Sequence, residues 1–136
     1  MQNTDQLKQI AINLVSKGKG ILAADESNPT CKKRFDSIGV ESSFESRNEY
    51  RDMLFTSHKI EDYISGVILF DETLKQTTTC AEKIPFTKLL SSKGIIPGIK
   101  VDQGVIDLEG FPNEKVTAGL DGLDKRLSEY YELGAR

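Results

Sequence analysis

Residues able to carry charge or move a proton gather at three places in this sequence, each directly after an apolar run. GILAADES (20–27) ends in Asp25, Glu26 and Ser27. SGVILFDET (65–73) ends in Asp71 and Glu72, and IIPGIKVD (95–102) ends in Lys100 and Asp102. A carboxylate in such a place is often only the cap of the next turn or helix, and that reading suits Asp71 and Glu72. Lys100 is different. It stands among Ile95, Ile96, Ile99 and Val101, so its ammonium must reach water or meet a counter-charge. Asp25 on a neighbouring strand could supply that charge, and a Lys–Asp pair could orient a polar substrate and move protons. Alternation along a strand puts Lys100 and Asp102 on one side and Val101 on the other.

A second group follows the first run: Thr30, Lys32, Lys33 and Arg34. Backbone N–H groups at a helix start, with basic side chains beside them, make an anion site; the alternative is a solvated basic face. Neither GxxxxGK[ST] nor GxGxxG occurs, so a nucleotide loop is not indicated. Asp25, Glu26 and Asp102 could hold Mg²⁺, but no histidine joins them and Lys100 would compete for the carboxylates. His58 lies in a polar segment and reads as a surface residue. Cys31 and Cys80 form no CxxC and read as free thiols.

The elements that must position these groups follow from periodicity. Thr4 is expected to cap a helix with Leu7, Ile10, Ala11, Leu14 and Val15 inward, stopped by Gly18 and Gly20. A buried strand is expected at 20–25, with Asn28-Pro29 as a turn after it and a short helix over 30–38. Ser42 and Glu45 fit a capping box before a helix with Tyr50, Met53 and Leu54 on one face. Strands follow at 66–70 and 95–102, with a short helix after Pro85 between them. The segment 103–120 reads as irregular. Asp121 is expected to cap a last helix with Leu123, Leu127, Tyr130 and Tyr131 inward. Strands alternating with helices imply a parallel sheet, so the expected fold is α/β. A (β/α)₈ barrel needs about 250 residues. The 136 residues of this chain would supply one domain, 1–136, made of the first three βα units of a TIM barrel preceded by an N-terminal helix. An open α/β sandwich also fits the pattern. A net charge of −3 argues against a general nucleic-acid partner. No run is apolar enough to span a bilayer, and the N-terminus carries no signal core, so a cytoplasmic protein is expected.

GKGILAADES (18–27), SGVILFDETL (65–74), PGIKVDQG (97–104) and GLDGLDKR (119–126), in this order and spacing, closely resemble the N-terminal part of class I fructose-bisphosphate aldolase. The resemblance covers essentially the whole chain. It implies a (β/α)₈ barrel that cleaves fructose 1,6-bisphosphate into dihydroxyacetone phosphate and glyceraldehyde 3-phosphate. That family works through a lysine Schiff base, without metal or other cofactor, and is usually a homotetramer. The iminium withdraws electrons from the bond being broken. By resemblance, Asp25 is the catalytic aspartate and Lys100 an active-site lysine. Ser27, Thr30, Lys33 and Arg34 fall where the family grips the far phosphate, and Glu26 lies beside the site. The family's usual pair after ADES is small, such as Thr-Gly, where this chain has Asn28-Pro29; Gln103 stands where a lysine is frequent. The family's Schiff-base lysine and acid/base glutamate belong to later strands, and no lysine here matches the former. The resemblance therefore implies a fragment of a lyase that is inactive alone and aggregation-prone. The other class is a non-catalytic chain that binds sugar phosphate or pairs with a complementary fragment.

Overall fold

The computed structural model describes residues 2–136. Its elements in chain order are α1 (Gln2–Leu14), β1 (Gly20–Ala24), α2 (Asn28–Asp36), α3 (Phe44–Phe55), α4 (Ile60–Tyr63), β2 (Ile64–Leu69), α5 (Asp71–Leu74), α6 (Phe86–Ser92), β3 (Ile96–Ile99), β4 (Val105–Asp107), β5 (Lys115–Thr117) and α7 (Leu123–Glu132). The first three strands form one parallel sheet in the order β1-β2-β3. Parallel neighbours need long crossovers; α2 to α4 make the first and α5 with α6 the second. These are the βα units of a partial TIM barrel, preceded by the helix α1.

Strand β2 is the middle of the sheet and reads IleSerGlyValIleLeu, with Val67 and Leu69 essentially without exposure. A strand covered on both faces needs apolar residues at consecutive positions, not alternate ones. The core stacks Phe55, Ile60, Leu74, Phe86, Leu90 and Ile95 around it. Phe55 and Phe86 meet edge to face, centroids 5.1 Å apart, the arrangement their ring quadrupoles favour. Gly66 lies where Leu14 of α1 comes down on the sheet: a Cβ there would collide with Leu14 Cδ2 and stand 3.3 Å from the Ile96 carbonyl. Ser65 Oγ donates to the Leu14 carbonyl at 2.6 Å, closing that contact.

Several boundaries differ from the sequence expectation. Helix α1 begins at Gln2, so Thr4 lies inside it, and Leu7 and Val15 are exposed while Ile10 and Leu14 are half-buried. Strand β1 is not a buried strand: it lies at the edge of the sheet, and of its five residues Ala24 is buried and Ile21 is 48% exposed. Asn28-Pro29 opens α2 rather than forming a separate turn. Ser27 is the N-cap and Pro29 stands in the first turn, where its missing N–H is harmless. The capping box is Ser43 with Ser46, one residue past the expected pair. On α3 the buried side chains are Arg51 and Phe55, while Met53 is exposed.

Strand β3 ends at Ile99, although the Lys100 N–H continues the ladder by donating to the Leu69 carbonyl at 2.9 Å. The segment expected to be irregular contains an antiparallel hairpin, β4 with β5, exposed along both strands. Helix α7 is capped by Gly122, not Asp121, and buries Tyr130 but not Leu127 or Tyr131. No helix among the described residues is long and apolar enough to cross a membrane.

Candidate active site

The carboxyl ends of the three parallel strands open into one cleft of about 840 Å³. Such ends are where parallel α/β folds place their chemistry, because the loops there diverge from a rigid frame. Asp25, Glu26, Ser27 and Thr30 enter from the end of β1 and the start of α2. Phe70 and Asp71 follow β2, and Lys100, Asp102, Gln103 and Gly104 follow β3. Arg126 and Tyr130 of α7 complete the lining.

The expected Asp25–Lys100 pair is not formed. Strand β2 separates β1 from β3, so the two residues are on opposite sides of the cleft rather than on neighbouring strands. Lys100 Nζ instead pairs with Asp102 Oδ1, two residues on along the same side of the chain. Asp102 Oδ2 also accepts the Gly104 N–H at 3.0 Å. The Lys100 hydrogen bond, then that backbone N–H, hold the Asp102 carboxyl below its ordinary range.

At the other wall, Ser27 Oγ and Thr30 Oγ1 stand 3.1 Å apart at the start of α2. The Ser27 hydroxyl makes no capping bond, so both hydroxyls are placed beside the orphan N–H groups of a helix start. Arg34 reaches back along α2 to Glu26 Oε1. Lys33 is exposed and lies outside the cleft lining. Glu26 borders the cleft, but both its carboxylate oxygens are engaged: Oε1 by Arg34 and by the Tyr50 hydroxyl at 3.3 Å, Oε2 by the buried Arg51. Burial works against its charge. Its own backbone hydrogen bond and Arg51 outweigh that and keep the carboxyl below its usual range. With Glu26 turned to arginines and Asp102 to Lys100, Asp25, Glu26 and Asp102 line one cleft but form no group that could hold a metal among the described residues.

The two lining residues of α7 are not among the expected site residues. Arg126 donates from Nη1 to the Val101 carbonyl at 2.9 Å and from Nη2 to the Gly119 carbonyl, tying the hairpin base to the end of β3. Tyr130 is 4% exposed, and burial raises its phenol above the ordinary value. The spacing Arg126–Tyr130, four residues on a helix, puts both on one face; that was the available signal for the first, once the second was taken as inward.

Helical crossovers returning to a parallel sheet, with a polar cleft at its carboxyl end, are the parts from which a (β/α)₈ barrel is built. The sequence profile described as glycolytic, fructose-bisphosphate aldolase class-I, matches residues 6–136, and the chain belongs to that family. It is 54% identical over 132 residues to a probable fructose-bisphosphate aldolase class 1 of Xylella fastidiosa, covering 97% of this chain and 39% of that protein. It is 51% identical to fructose-bisphosphate aldolase 1, chloroplastic, of Chlamydomonas reinhardtii, covering 97% of this chain and 34% of that one. A ternary co-crystal structure of the Plasmodium falciparum aldolase, in complex with TRAP and a small-molecule inhibitor, superposes with a TM-score of 0.94. That match has 49% identity and covers 99% of this chain and 38% of that one. The chain thus spans under two fifths of the length of these relatives.

Proposed function

We propose that this chain supplies one wall of the active site of a Schiff-base fructose-bisphosphate aldolase, acting on fructose 1,6-bisphosphate in glycolysis and gluconeogenesis in the cytoplasm. The observation that carries this reading is the convergence of Asp25, Ser27, Thr30 and Lys100 on one cleft at the carboxyl ends of the strands, in a chain of the aldolase family. In this reading Asp25 meets the substrate hydroxyl and moves its proton. Lys100, with Asp102 beside it, binds substrate and sets the charge of the site. Ser27, Thr30 and the N–H groups opening α2 take a phosphate, with Lys33 and Arg34 as the basic residues behind it. Glu26 acts by holding Arg34. The nucleophilic lysine is not among these 136 residues, and the chain alone does not turn over.

A second reading, a non-catalytic chain that binds sugar phosphate or pairs with a complementary fragment, draws on the sheet order, which leaves β1 and β3 each with an open edge. Borohydride reduction in the presence of dihydroxyacetone phosphate tests the placement of the nucleophile. Mass spectrometry is expected to find no adduct on this chain, and a covalent adduct would contradict the proposal. Titration with fructose 1,6-bisphosphate, followed by amide shifts, should move Asp25, Ser27, Thr30 and Lys100 first. Shifts confined to other surfaces would rule out the cleft.

A further inference from the structure

Strands β1 and β2 both run out into the same dipeptide, Asp25-Glu26 and Asp71-Glu72. In each, the aspartate lines the cleft and the glutamate carboxylate turns to α3. That helix meets them with two arginines four residues apart, Arg47 and Arg51, which a helix presents about one turn apart on one side. Arg47 grips Glu72 with both prongs, Nε to Oε1 at 2.7 Å and Nη2 to Oε2 at 2.8 Å. Arg51, 2% exposed, grips Glu26 by its carboxylate from Nη1 and by its carbonyl from Nη2 at 3.1 Å. Arg51 Nε also donates to Thr73 Oγ1 at 3.3 Å, so one guanidinium joins both strand ends. Neither arginine lines the cleft.

We propose that Arg47 and Arg51 are positioning residues, a two-pronged clasp that sets where Asp25 and Asp71 stand and so governs how tightly the cleft holds a sugar bisphosphate. The ligand part of this inference rests on the function proposed above. One peptide unit separates each clasped glutamate from its aspartate, about 3.8 Å between Cα atoms. A fork-to-carboxylate bond fixes direction as well as distance, so a slackened clasp displaces the acid next to it. Asn28 Nδ2, 3.4 Å from Glu72 Oε2, carries the same restraint to the start of α2.

The test uses the whole chain, isotope-labelled, with fructose 1,6-bisphosphate as probe, at a temperature where circular dichroism shows each variant folded. Arg47→Gln should weaken binding roughly five-fold or more, as loss of orientation does in pre-organised sites. It should also shift the Asp71 amide before any ligand is added. The exchange Arg47→Glu with Glu72→Arg should restore affinity to within roughly two-fold, because the fork is rebuilt in reverse; mere stability loss would not be repaired selectively at the cleft. Arg51→Lys keeps the buried charge but not the fork, and should shift the Asp25 amide. A folded Arg47→Gln variant with the parent's affinity would overturn the clasp's role in binding. If the parent itself binds no probe, the sugar-phosphate reading falls. The unliganded shifts still decide the clasp, and unchanged Asp25 and Asp71 signals in both variants would overturn it.

Discussion

The two walls of the cleft are held by different means. The β1–β2 wall is fixed by side chains: Arg47 and Arg51 of α3, both largely out of water, on Glu72 and Glu26. The β3 wall is fixed mainly by backbone. Gln103 N–H donates to the Ala118 carbonyl and Ala118 N–H to the Gly104 carbonyl, each at 2.9 Å, and the Arg126 guanidinium binds two further carbonyls. The ion pair on that wall, Lys100 with Asp102, is partly in water. A wall built on buried charge is intolerant of losing either partner, because what remains is an unpaired ion in a low dielectric. A wall built on backbone bonds is intolerant of anything that pushes two strands of chain apart.

Substitutions should separate the two walls. The largest effect is expected from Arg51→Ala, which takes the partner from Glu26 Oε2 and its carbonyl while Arg34 still holds Oε1, and should lower unfolding free energy by about 3 kcal/mol in urea titration. Gly119→Val strikes the other wall. Gly119 has φ +125, and a Cβ there would stand 3.0 Å from both Gln103 N and the Val101 carbonyl oxygen. That substitution should cost about 1–3 kcal/mol, with amide-exchange protection lost at 101–119 and retained in α3.

Acid should act on the first wall in a defined direction. The folded Glu26 carboxyl lies below its ordinary value of 4.5, so its contribution is complete above that pH and is lost as pH falls through the depressed folded value. Urea midpoints at pH 6 and pH 3 should differ less in Glu26→Gln than in the parent. The smallest effect is expected at the hairpin tip. Lys115 and Asp107 pair with both side chains mostly in water, and Lys115→Ala should change stability by no more than about 0.5 kcal/mol.

The same contrast explains what was legible in the sequence. The apolar run of β2 and the polar residues after each strand are local patterns, and Asp25, Ser27, Thr30 and Lys100 do meet in one cleft. What periodicity does not carry is adjacency. GILAA and GVILF look alike as runs, yet one lies at the sheet edge and the other in its centre, and only strand order decides which is buried. The same ignorance of order produced the expected Asp25–Lys100 pair. On α3, Met53 is expected on the inward face with Tyr50 and Leu54, yet it is exposed and Arg51 is buried. The inward face was decided by two glutamates 25 residues from their partners, which no local window contains. The hairpin at 105–117 is not legible in the sequence, because both its strands are exposed and lack an apolar face to announce them.

The sulfur of Cys31 sits 3.7 Å from Arg51 Nη2 on the inner side of α2, buried, with desolvation raising its thiol above the ordinary value while Arg51 pulls the other way. Cys80 lies in water. A thiol reagent therefore labels Cys80 at once and Cys31 only when α2 lifts from α3. The second modification becomes a clock for the opening of one wall, readable by mass in the native protein without denaturant.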